Sequence, residues 1–128
     1  MNVYGFHILR VGMAITFLWI GVLIFQSPEA WAGFIQPWAL DLLPISPKAA
    51  LMVTAILDIV IGGFLLIDMF TWLAALLGAL HLASILIVSG IDAITVRDIG
   101  LLAAMVSLTA ASWPTKKLSL PPRLSTLA

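Results

Sequence analysis

One helical hairpin, residues 48–91, constrains this chain more than any other stretch. Two long apolar runs meet at a tight connection, Ile67-Asp68-Met69-Phe70, and each run carries an ionisable residue near its middle, Asp58 in the first and His81 in the second. Asp58 lies about ten residues before the connection and His81 about twelve after it, so at roughly 1.5 Å per helical residue both sit some 15–19 Å from the turn. Two ionisable side chains therefore share a level inside a segment that otherwise reads as lipid-soluble. Such residues are expensive in lipid and point to a site or to a buried pair.

Only a membrane setting suits the rest of the chain. Its residues are 62% hydrophobic and 9% charged, whereas a soluble domain carries about 25% charged residues. The 128 residues allow one domain with about four spanning helices. A net charge of zero offers no electrostatic footprint for nucleic acid. Cysteine is absent, which removes disulfides, thiolate metal sites and thiol–disulfide chemistry.

The first span is expected at about 4–26, with His7 and Arg10 toward its start. A signal peptide cleaved after Ala30-x-Ala32 is the rival reading, but Arg10 lies deep in the apolar run and almost no basic n-region precedes it. Arg10 either snorkels to the near surface or turns inward to an acid of the bundle. Residues 27–47 contain Pro28, Pro37, Pro44 and Pro47 and read as a connector. Trp31, Phe34 and Trp38 fall at helical spacing, so a broken amphipathic helix at the membrane boundary is expected, as an anchor or as a lid.

Ser46 and Pro47 suit the cap and first position of a second span, 48–67. Thr54, Ala55 and Gly62 share the face of Asp58, and small residues allow close helix approach in lipid. A third span, 70–89, places Ala74, Gly78, Ser84 and Ile85 around His81. A short fourth span, 97–113, ends at Pro114, and Asp98 lies about 22 Å from Trp113, near the level of His81. The expected architecture is all-α: an integral membrane four-helix bundle over 1–113 with an interfacial connector between helices 1 and 2. A basic tail, 114–128, follows. Lys116, Lys117 and Arg123 in the tail place both termini in the cytoplasm by the positive-inside rule, with Lys48 and Arg97 as counter-indications.

The candidate constellation is Asp58, His81, Arg97 and Asp98, with Arg10 joining if it turns inward, and Trp31 and Trp38 of the connector as ligand contacts. An unpaired charge at mid-bilayer costs roughly 2.5–3.5 kcal/mol on insertion scales. Asp can neutralise itself but Arg cannot, so Arg97 most needs a partner, and Asp58 is a candidate. His81 with Asp98 would make a hydrogen-bonded pair suited to a proton relay or a quinone headgroup, with His81, Asp58 and Asp98 as candidate catalytic groups. A polar zipper that fixes helix register is the alternative. His7 and His81 lie at different depths, which argues against haem, and no CxxCH, P-loop, GxGxxG or HExxH occurs. No metal site and no covalent cofactor are expected. A small transporter is a further reading, limited by the narrowness of four spans.

Several pieces, in this order and spacing, resemble the DoxX family of small four-span membrane proteins. They are Leu9-Arg10-Val11-Gly12, Phe17-Leu18-Trp19 with Gly21, Ala30-Trp31-Ala32-Gly33-Phe34, Asp58-Ile59-Val60-Ile61-Gly62-Gly63, Phe70-Thr71-Trp72-Leu73-Ala74-Ala75 and Arg97-Asp98-Ile99-Gly100. Two positions depart from the family pattern, Asp58 where Glu is frequent and Trp72 where a basic residue is frequent. The resemblance implies a cell-membrane (inner-membrane) subunit of a redox system. Some relatives belong to thiosulfate:quinone oxidoreductase, and others anchor enzymes such as a superoxide dismutase or a sulfurtransferase. It implies quinone as the ligand, redox-enzyme subunits or further copies of the chain as partners beside the bilayer, and Arg10, Asp58, Arg97 and Asp98 as recurrent polar positions. A non-catalytic scaffold remains the alternative.

Overall fold

The turn after Leu66 shows how local chemistry shapes this chain. Asp68 and Phe70 both adopt left-handed backbone, at φ 55° and 50°. The Asp68 carboxylate accepts a 2.6 Å hydrogen bond from the Thr71 hydroxyl. Asp tolerates this conformation, and its side chain fixes the first turn of the next helix. Phe70 is held there against the ring of Phe64, centroids 6.4 Å apart.

The computed structural model describes residues 1–114, in which the helices are α1 (Val3–Gln26), α2 (Pro28–Ala32), α3 (Pro37–Leu42), α4 (Pro47–Leu66), α5 (Thr71–Ser89) and α6 (Arg97–Ala111). No strand occurs among the described residues. The basic residues expected to orient the chain, Lys116, Lys117 and Arg123, lie outside them. Caps fall where the sequence places them: Asn2 accepts from the Gly5 amide at 2.7 Å, and Ser46 accepts from the Ala49 amide at 3.2 Å with Pro47 opening α4.

Three helices, α1, α4 and α5, are long and apolar enough to cross a membrane. Ile8, Trp19, Ile56, Leu80 and Ile87 stand exposed on them, as lipid contact requires. α6 has 15 residues and packs along α5, while α1 packs along α4.

Glycine sets the closeness of these pairs. A Cβ at Gly62 would stand 2.9 Å from the Leu18 amide nitrogen and 3.0 Å from the Ala14 carbonyl. One at Gly21 would stand 2.9 Å from the Ala55 carbonyl. Between the pairs lies a dry core built from Phe17, Ile61, Leu65, Met105 and Leu108.

The connector differs from a single amphipathic helix. Residues 33–36 break it, and Pro37 starts a new helix, so Trp31 and Trp38 do not share a face. Trp31 packs on Phe34, centroids 5.9 Å apart, while Trp38 stays half exposed. Gln36 ties the connector to the end of α5: its amide donates to the Val88 carbonyl at 3.1 Å and its Nε2 to the Ser89 carbonyl at 3.0 Å. Gly90 ends α5 at φ 74°, where a side chain would meet Gln36 Nε2 at 2.8 Å.

Candidate functional site

Asp58 enters the site from the face of α4 that also carries Ala55 and Gly62, the face pressed on α1. The contact leaves Asp58 only 4% exposed. His81 reaches it from α5, with Nε2 3.1 Å from Asp58 Oδ1 and its side chain 10% exposed. Distance and direction disagree at this contact. The oxygen is close enough for an ion pair with a protonated imidazole, but Nε2 is a buried nitrogen with no aligned hydrogen-bond partner. The Asp58 carboxylate is thus the polar group nearest to Nε2, held at hydrogen-bonding distance but off the ideal direction. Buried polar atoms are normally satisfied, so a strained contact between two buried ionisable groups is a functional clue.

The pair lies on a partly open cavity of about 690 Å³. Apolar side chains from α1, α4 and α5, among them Phe17, Ile20, Leu57, Leu82 and Ile85, form most of its wall. Trp31, Phe34, Ile35 and Leu43 roof it from the connector. Arg97 and Asp98 enter from α6, and Thr95 from the loop before it.

Sequence reasoning expected Arg97 to meet Asp58, and His81 to meet Asp98. Instead His81 pairs with Asp58, because α4 and α5 form one hairpin whose matched depths bring the two together. Arg97 is exposed and its Nε donates to the Ile94 carbonyl at 3.1 Å. A local carbonyl satisfies it without a carboxylate. Asp98 is half-buried on the same cavity.

Two candidates stand away from this site. Arg10 turns inward, but to backbone: Nη1 donates to the carbonyls of Leu65 and Leu66, and Nε to His7 Nδ1 at 3.1 Å. Asp68 Oδ1 is 3.7 Å away. This cluster lies at the opposite end of the dry core. Trp38 does not line the cavity.

Three hydroxyls that do line it, Thr16, Thr54 and Ser84, donate to carbonyls of their own helices. Of the three, only Thr54 and Ser84 had a sequence signal, their place beside Asp58 and His81. Gln36 gave none, because its partners are backbone carbonyls.

The loop before α6 is fixed by Asp92, whose Oδ1 accepts from the amides of Ile94 and Thr95 at 2.7 and 2.8 Å. These bonds, with that from Thr95 first in weight, hold the Asp92 carboxyl below its ordinary value of 3.8. The Thr95 hydroxyl in turn donates to the Gly90 carbonyl at 2.6 Å.

The family model that matches the chain is DoxX, over residues 5–88. This chain belongs to the DoxX family. With three apolar helices of spanning length, it is a membrane protein of the DoxX type. The matched segment contains the connector, Asp58 and His81, and it ends before Arg97 and Asp98. No curated protein and no solved structure gives a significant match.

Proposed function

We propose that this DoxX protein is a four-span subunit of a membrane redox system and that its cavity takes a quinone headgroup. In this reading α1, α4, α5 and α6 form the bundle, and α2 and α3 lie at the interface as a roof. Both termini face the cytoplasm of a cell membrane. The observation that carries the proposal is the buried Asp58–His81 contact, Nε2 to Oδ1 at 3.1 Å, on the wall of a largely apolar cavity.

The residues fit such a ligand. Quinone carbonyls only accept hydrogen bonds, and the His81 imidazole on the cavity wall is a donor group. The Arg97 guanidinium is a second donor group on the same wall. The apolar wall suits a prenyl tail. When bound, a quinone supplies two-electron carrier chemistry, taking two electrons from a partner redox subunit and two protons. The protein orients the headgroup through His81 and holds a proton at the His81–Asp58 contact.

The test is His81→Gln, which keeps a hydrogen-bond donor but cannot titrate. Reconstituted with its native partners, the variant should keep its thermal stability and lose quinone-coupled electron transfer. Assembly with wild-type transfer would overturn the proposal. A scaffold is the second reading, favoured by the Asp58–His81 contact, which already holds α4 to α5. On that reading the same variant loses stability and leaves electron transfer in step with the amount assembled.

A further inference from the structure

The surroundings of Asp58 and His81 are unequal along the membrane normal. Toward the turn between α4 and α5, the next layer is dry. Ile61, Leu65, Ala75, Met105 and Leu108 are all at most 1% exposed, and Gly78 lets Met105 press between the helices. Toward the connector the wall carries Thr54, Ser84, Thr95, Arg97 and Asp98, beneath the apolar side chains of the connector itself. The ionisable groups lining the cavity are Asp58 on α4, His81 on α5, and Arg97 and Asp98 on α6. Neither α1 nor the connector contributes one among the described residues.

We infer that the Asp58–His81 pair exchanges protons with the connector side of the membrane only, and that Asp98 is the relay. A half-buried carboxylate on the wall of the cavity that a buried acid–base pair also lines is suited to that task. Asp98 takes a proton from water at the connector face and passes it to Asp58 or to the imidazole, returning to its carboxylate. One proton moves and no electron does. Arg97, held at the Ile94 carbonyl, leaves the Asp98 carboxylate without a fixed ion pair. Asp98 is thus a positioning and relay residue for the site proposed above, and the inference rests on that site but not on the quinone.

Two measurements test it without any quinone, so a failed quinone reading would leave them intact. In the first, Thr54→Cys, Ser84→Cys and Ile61→Cys are made singly in this cysteine-free chain and placed in vesicles of known orientation. An impermeant methanethiosulfonate is then added on one side. Thr54→Cys and Ser84→Cys should react at least about tenfold faster from the connector side, and Ile61→Cys from neither side. Reaction of any of the three from the side of the α4–α5 turn, or none at Thr54→Cys from either, overturns the one-sided path.

In the second, ring N–H exchange of His81 with D2O is followed by nitrogen-15 NMR in a His7→Gln background. An imidazole keeps at least one N–H in either protonation state, so the readout does not depend on its pKa. Asp98→Asn should slow exchange at least about tenfold, and Asp98→Glu should restore it. An unchanged rate in Asp98→Asn, or a slowed rate that Asp98→Glu does not rescue, removes Asp98 as the relay.

Discussion

Arg10 on α1 closes the C-terminal end of α4 by donating from Nη1 to the Leu65 carbonyl at 2.5 Å and to the Leu66 carbonyl at 3.0 Å. The last carbonyls of a helix have no intrahelical donor, and a cation there also meets the negative end of the helix dipole. Arg10→Leu should therefore destabilise the chain by about 1–3 kcal/mol. Arg10→Lys, with a single compact donor head, should recover only part of this. Thermal unfolding in detergent measures both. Ligand binding in the cavity should not change, since Arg10 does not line it.

The α1–α4 contact allows a sharper test. A Cβ at Gly62 meets backbone atoms of Ala14 and Leu18, which cannot swing aside. Nothing lies within 4 Å of one at the neighbouring Gly63. Gly62→Ala should cost about 1–3 kcal/mol through overpacking. Gly63→Ala should be neutral or stabilising by up to about 1 kcal/mol through helix propensity. Equal unfolding midpoints for the two variants would show that α1 and α4 do not approach this closely.

The hairpin was legible in the sequence for a physical reason. Helical rise is constant, so counting outward from Asp68 and Met69 puts Asp58 and His81 level, and they lie 3.1 Å apart. Ser46-Pro47 was equally readable, since a cap acts locally. What stayed hidden depends on backbone. Arg10 and Gln36 bond to carbonyls of Leu65, Leu66 and Ser89, and every residue has a carbonyl. The break in the connector was readable from its prolines, but helical spacing alone put Trp38 with Trp31 and Phe34, and the restart at Pro37 turns it elsewhere. The partners of Arg97 and Asp98 were misjudged because depth alone does not say which way a helix face turns.

Acid should loosen the loop before α6. The Asp92 carboxyl is held below its ordinary value by the amides of Thr95 and Ile94. Its ionised form is thus favoured by folding. The stability it adds is complete above the unfolded value of 3.8 and is lost as pH falls through the lower folded value. Hydrogen exchange at the Ile94 and Thr95 amides should accelerate relative to neighbouring amides only below pH 3.8. Asp92→Asn, which still offers an oxygen acceptor, should flatten that dependence. A rise in exchange already complete at higher pH would assign the effect to another group.

The last prediction concerns what Asp58 does for the fold. It is buried against α1 and faces His81. Asp58→Leu removes one member of the pair and leaves the imidazole without it, so the cost should stay near 1–3 kcal/mol, about that of an unsatisfied polar group. Asp58→Lys puts an ammonium against the imidazole, on the wall that Arg97 shares. It should cost about 3–5 kcal/mol, the range for a buried charge without its partner. The double variant Asp58→Leu/His81→Leu should cost less than the sum of its singles, since each single already removes the contact. Unfolding midpoints of the four variants in one lipid or detergent system complete the cycle. If Asp58→Lys unfolds with the wild type, Asp58 does not face the interior, and the contact with His81 is not what joins α4 to α5. If the singles add without coupling, the 3.1 Å contact contributes nothing to folding, and the scaffold reading loses its main support.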